Sequence, residues 1–149
     1  MRVLIADDSV FIRERLQEML SQQRQAEIVA FVQNGHDALA ALRALQPDLA
    51  ILDIRMPGLT GLEVINEYRK EYDTVKFVVL TFYSSGLFRE RAFGAGADYF
   101  FSKVDDFEKV AEVVSELIMK QETAFSSVAG GDQPAEPDLE ISIKNIIIN

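Results

Sequence analysis

Three kinds of side chain in this sequence could act together on a hard cation or a phosphoryl group: the carboxylates of Asp7, Asp8 and Asp53, the hydroxyl of Thr81 and the ammonium of Lys103. Each follows a short apolar run. Val3-Leu4-Ile5-Ala6 precedes Asp7, Leu49-Ala50-Ile51-Leu52 precedes Asp53, Phe77-Val78-Val79-Leu80 precedes Thr81, and Tyr99-Phe100-Phe101 comes shortly before Lys103. Runs that are apolar throughout suit strands of a parallel sheet covered on both faces. In such an open sheet, ligands sit outside the carboxyl ends of the strands, where strand order reverses. Three carboxylates crowded there repel one another unless a cation lies among them. A hard divalent ion such as Mg²⁺, held by one or two carboxylates and several waters, meets that need. It would then bridge an oxygen of an incoming phosphoryl group and offset charge that develops during transfer. Thr81 and Lys103 are left for the other oxygens. Singly, each residue also has a structural reading: helix capping for Asp7 and Asp8, a turn for Asp53, an ordinary strand end for Thr81, a surface lysine for Lys103. Their joint placement at four strand ends is what argues for a site.

The elements that must position these residues alternate along the chain. A helix is predicted from about residue 10, with Ser9 as its N-cap and Ile12, Leu16, Met19 and Leu20 on its apolar face. Residues 27–32 read as a second strand, followed by a helix with Ala38, Leu42 and Leu45 on one side. Further helices are predicted near 62–71, near 87–93 before Gly94 and Gly96, and along Phe107, Val110, Ala111, Val114 and Leu117. Five such βα units predict an α/β fold, a five-stranded parallel sheet wound with helices on both faces. With strand order 2-1-3-4-5, the first and third strands are neighbours and Asp8 and Asp53 converge.

Composition excludes several other chemistries. The 149 residues contain no cysteine, so disulfides, thiolate metal sites and cysteine nucleophiles are all absent. A single histidine, His36, is too few for a multi-imidazole zinc site. The formal charge is −9, and an acidic surface disfavours nucleic-acid binding. Met1 to Ile5 run straight into Ala6-Asp7-Asp8 without a signal-peptide pattern, and no apolar stretch reaches membrane-span length. A cytoplasmic protein is expected.

The quoted pieces resemble the response-regulator receiver family of two-component signalling, over residues 1–121. They are Val3-Leu4-Ile5-Ala6-Asp7-Asp8-Ser9, Leu52-Asp53-Ile54-Arg55-Met56-Pro57-Gly58-Leu59-Thr60-Gly61, Val79-Leu80-Thr81, and Gly96-Ala97-Asp98-Tyr99-Phe100-Phe101-Ser102-Lys103. The resemblance implies a flavodoxin-like receiver and a phosphorylation-activated switch. It makes Asp53 the acceptor of a phosphoryl group from a histidine kinase or phosphotransfer protein. Asp8 and Asp53 would ligate Mg²⁺ directly, Asp7 through water, and Arg55 through its backbone carbonyl. Thr81 and Lys103 would contact the phosphoryl group, and Phe100 stands where the family keeps a rotating aromatic; a fixed core phenylalanine is the plainer alternative. Arg55 and Tyr83, two residues beyond Asp53 and Thr81, border the phosphate in this family. Partners implied are a kinase or phosphotransfer protein, a downstream protein target, and a second copy through the fourth helix, fifth strand and last helix. The family's frequent proline after the lysine is Val104 here, so a trans bond and an altered loop are expected.

Two other functions share part of this pattern. A phosphohydrolase of the haloacid-dehalogenase type also uses a strand-end aspartate and Mg²⁺, but its second acid, two residues on, is Arg55 here. A receiver acting as an unphosphorylated binding module would normally have lost an acid or the lysine, and all are present. The resemblance gives no guide beyond residue 121. Residues 122–138, with Gly130, Gly131, Pro134 and Pro137, are predicted as a flexible linker. In 139–149, alternation of Leu139, Ile141 and Ile143 with polar residues favours an apolar strand over a helix, although positions 139, 143, 146 and 147 also satisfy helical spacing. Packed on another chain or a second copy of the tail, it would support self-association.

Overall fold

The computed structural model describes residues 1–130, with side chains to residue 124. Ten elements alternate: β1 (Arg2–Ala6), α1 (Val10–Leu20), β2 (Glu27–Val32), α2 (Gly35–Leu45), β3 (Leu49–Leu52), α3 (Gly61–Arg69), β4 (Lys76–Thr81), α4 (Gly86–Ala95), β5 (Tyr99–Ser102) and α5 (Lys109–Gly130). The sheet is parallel throughout in the order β2-β1-β3-β4-β5, the flavodoxin-like arrangement expected from the sequence.

Successive strand residues point to opposite faces, and here both faces are covered. Leu4, Ala6, Ala50, Leu52, Phe77 and Val79 pack with α2, α3 and α4 in one cluster. Val3, Ile5, Leu49, Ile51, Val78 and Leu80 pack with α1 and α5 in the other. All four residues of β3 are buried, which is why that strand shows no polar alternation. Helix starts are set by local side chains. Ser9 Oγ accepts from Ile12 N–H at 3.3 Å, and Thr60 and Glu63 form a reciprocal capping box on α3.

The helix limits differ modestly from the sequence reading. α3 stops at Arg69 and α4 runs from Gly86 to Ala95. The larger difference is at α5, which continues to Gly130 where a linker is predicted from residue 122. Residues 121–129 hold no glycine or proline to interrupt the helix. The rest of the predicted linker, 131–138, and the strand predicted in 139–149 lie outside the described residues. Among those described, no helix is long and apolar enough to cross a membrane.

Candidate functional site

Each functional side chain is held at its height by the sheet's hydrogen bonds, which extend one residue past the strands. Asp7 N–H donates to Val32 O at 3.0 Å, Asp53 N–H to Ala6 O at 3.0 Å and Lys103 N–H to Thr81 O at 2.9 Å. Asp7 follows β1 and Asp53 follows β3, and those strands are adjacent, so the acidic residues meet. Carboxylate oxygens of Asp7, Asp8 and Asp53 lie within 4.8 Å of one another.

Lys103 binds two of the three. Its Nζ lies 2.7 Å from Asp7 Oδ2 and 2.7 Å from Asp53 Oδ2, with its side chain only 2% exposed. Asp7 Oδ1 accepts from Ser9 N–H at 2.8 Å, and Asp53 Oδ1 from Ile54 N–H at 2.7 Å. Burial pushes the Asp7 carboxyl above the usual carboxylate range, and hydrogen bonds from Lys103 and the Ser9 amide only partly oppose it. Asp8 is exposed, and its carboxylate has no ion pair or hydrogen bond among the described residues.

One ammonium against three carboxylates leaves negative charge unbalanced. The donors are hard oxygens, and Asp8 is open to water. That set fits Mg²⁺, which keeps several waters and takes one or two carboxylates.

Around this pocket stand the remaining predicted residues. Thr81 is fully buried, and its Oγ1 accepts from Tyr83 N–H at 3.1 Å. The Arg55 guanidinium lies 4.9 Å from the Tyr83 ring centre, joining the loop after β3 to the loop after β4. Phe100 is buried in the α2–α4 side of the core, with Arg89 at 5.8 Å from its ring centre. The structure therefore brings Asp7, Asp8, Asp53 and Lys103 into direct proximity, while Phe100 lies in the core. No peptide bond is cis among the described residues, so the Lys103–Val104 bond is trans as expected without proline.

Three features were not legible as parts of the site. The exposed Phe82 ring lies 5.0 Å from Lys103 Nζ. Gly61 packs on the backbone of Asp53, where a Cβ would fall 2.1 Å from the carbonyl oxygen. Ser102 and Asp106 bracket Lys103 in a closed loop. Of these, Gly61 and Ser102 carried a signal, as residues of the Asp53 and Lys103 motifs.

Comparison with known proteins agrees with this geometry. Residues 3–115 match the family model for the response regulator receiver domain. A protein-glutamate methylesterase/protein-glutamine glutaminase of Methanospirillum hungatei is 41% identical over 119 residues, covering 78% of this chain and 34% of the relative. The response regulator GacA of Pseudomonas aeruginosa is 27% identical over 128 residues, covering 86% of this chain and 60% of the relative. Among solved structures, the response regulator domain of Thermotoga maritima CheB superposes with a TM-score of 0.71 at 28% identity, covering 80% of this chain and 94% of that one. A LuxR-family DNA-binding response regulator from Staphylococcus aureus gives a TM-score of 0.72 at 30% identity, covering 77% and 96%. The chain spans about a third of the length of the methylesterase relatives it matches, 34% and 39% for two of them. With the parallel sheet in receiver order, the acidic cluster at its carboxyl edge and the family match over most of its length, this chain belongs to the response regulator receiver domain family.

Proposed function

We propose that this receiver domain takes a phosphoryl group on Asp53 and so switches a protein-binding surface. The reading is carried by the Lys103 ammonium lying 2.7 Å from an Asp53 carboxylate oxygen inside an acidic pocket. An oxygen of Asp53 attacks phosphorus of a phosphohistidine on a kinase or phosphotransfer protein. The P–O bond forms as the P–N bond breaks, and the donor imidazole leaves. Asp8, Asp53 and the Arg55 carbonyl would hold Mg²⁺, with Asp7 acting through water; when bound, the ion neutralises charge on the transferring oxygens. Lys103 turns from its paired carboxylates to a phosphoryl oxygen, and Thr81 supplies a hydroxyl to another.

Movement of Thr81 toward the phosphate would bias the packing around Phe100 and the surface formed by α4, β5 and α5. That surface is the proposed site for a downstream protein or a second copy, and the proposed compartment is the cytoplasm. Turnover of phosphate esters is not expected of this domain, since Arg55 stands where a phosphohydrolase would need its acid. The methylesterase relatives extend well beyond the length matched here, so an enzymatic output would belong to additional sequence.

Acetyl phosphate with Mg²⁺ should add one phosphoryl group, labile to base and hydroxylamine as an acyl phosphate is. Asp53→Asn should abolish labelling. Stoichiometric labelling of that variant at a serine or threonine would refute the assignment.

A further inference from the structure

The loop after β5 carries no proline to stiffen it, yet it holds Lys103 in a buried position between two carboxylates. How it does so is visible in five consecutive backbone N–H groups, all of which are satisfied. Ser102 N–H donates to Asp106 Oδ2 at 3.0 Å. Lys103 N–H donates to Thr81 O at 2.9 Å, and Asp106 N–H to Ser102 O at 2.9 Å. The Ser102 hydroxyl oxygen accepts from Val104 N–H at 3.1 Å and from Asp105 N–H at 3.3 Å. Two side chains, those of Ser102 and Asp106, thus bind three of the five groups, and the loop closes on itself in both directions.

The clasp is anchored at each end. Ser102 is buried and pairs in register with Thr81 at the end of the sheet. Asp106 Oδ1 takes an ion pair from Lys109 Nζ at 3.0 Å, at the first residue of α5. The Ser102 amide, followed by the Lys109 ammonium, holds the Asp106 carboxyl below the usual carboxylate range, as expected of an acid whose charged form is bound. Val104, by contrast, is 73% exposed and contributes no packing that would fix the turn.

From this geometry we infer that Ser102 and Asp106 are positioning residues for Lys103: their reciprocal clasp sets the direction of the lysine toward Asp53. Side-chain bonds to backbone groups of this kind substitute for regular structure where the chain must turn sharply. Without them Val104 and Asp105 lose their acceptor and the loop gains alternative conformations. A catalytic group displaced by a fraction of an ångström loses much of its effect. The inference rests on the phosphoryl-binding role proposed for Lys103, but the holding of the lysine itself can be measured separately.

The test uses Ser102→Ala and Asp106→Ala, with Ser102→Thr and Asp106→Asn as variants that keep an acceptor. Two quantities are read on the full chain: acetylation of Lys103 by an amine-reactive ester, followed by peptide mass spectrometry, and the rate of Asp53 labelling by acetyl phosphate. The alanine variants should raise Lys103 acetylation about tenfold and slow Asp53 labelling about tenfold, with the conservative variants near the parent. Lys76 and Lys120, away from the clasp, should keep their reactivity. Unchanged Lys103 reactivity in both alanine variants overturns the inference, as does a rise at Lys103 accompanied by loss of far-ultraviolet circular dichroism, which would report general unfolding. Failure of the parent protein to label at all would instead overturn the acceptor role of Asp53.

Discussion

The guanidinium of Arg55 lies 4.9 Å from the centre of the Tyr83 ring, so the loop after Asp53 is tied to the loop after Thr81. Tyr83 also packs edge-on to Phe88 of α4, with ring centres 5.8 Å apart. The pair holds together the two loops that flank the pocket. An exposed cation–π contact contributes about 0.5–1 kcal/mol. Arg55→Ala and Tyr83→Ala should therefore each shorten the lifetime of the acyl phosphate, by up to about fivefold. The double variant should add little, since either change breaks the same contact. Phosphate release after removal of donor measures this, and fully additive effects would contradict it.

Metal binding should separate the two neighbouring acids. Asp7 is buried with Lys103 at 2.7 Å, whereas Asp8 is exposed and its carboxylate has no ion pair or hydrogen bond among the described residues. Asp8→Ala should weaken Mg²⁺ binding more than Asp7→Ala, by roughly tenfold against a few-fold, as expected for loss of a direct rather than a water-mediated ligand. Titration calorimetry of the unphosphorylated protein distinguishes the two. Equal losses would contradict the direct and water-mediated roles.

Asp7 also makes stability depend on pH. Burial raises its carboxyl above the ordinary 3.8. A group whose folded-state pKa lies above its unfolded value stabilises fully below the unfolded pKa, and that contribution disappears as pH rises through the folded pKa. Asp7→Asn has no such titration. In chelator, the parent protein should lose stability relative to the variant as pH climbs from 3.8 into the raised range, then run parallel to it. Urea unfolding at a series of pH values checks this, and a difference independent of pH would refute it. Mg²⁺ should reduce the parent's disadvantage above that range, because the ion binds the charged form.

Gly61 is needed for close approach. A Cβ there would meet the Asp53 carbonyl oxygen at 2.1 Å, and that atom is backbone. Gly61→Ala should cost about 1–3 kcal/mol of stability, the usual range for overpacking. Because the displaced atoms belong to Asp53 and Ile54, labelling of Asp53 should fall as well. Denaturation with an unchanged midpoint would show that the loop yields freely.

The sequence by itself determined the kinds of elements and the residues at their ends. Strands buried on both faces must be apolar at every position, so Leu49–Leu52 and its counterparts stand out, and the first residue beyond each run is marked by position alone. Caps such as Ser9 and Thr60 act within three residues and are equally local. Strand order is different, because alternation of βα units counts strands without arranging them. The expected order was taken from the common doubly wound arrangements rather than read from residues, and the sheet hydrogen bonds establish it. Only the tertiary structure decided which carboxylates share the Lys103 ammonium, that Arg55 stacks on Tyr83, and that Gly61 touches Asp53. The extent of α5 was also missed, although its cause is local: the glycines and prolines read as a linker begin only at Gly130. The contacts could not be read in advance because each joins residues from separate elements. Their distances depend on how the sheet is ordered and how its edge loops pack, and no residue type or spacing encodes that by itself.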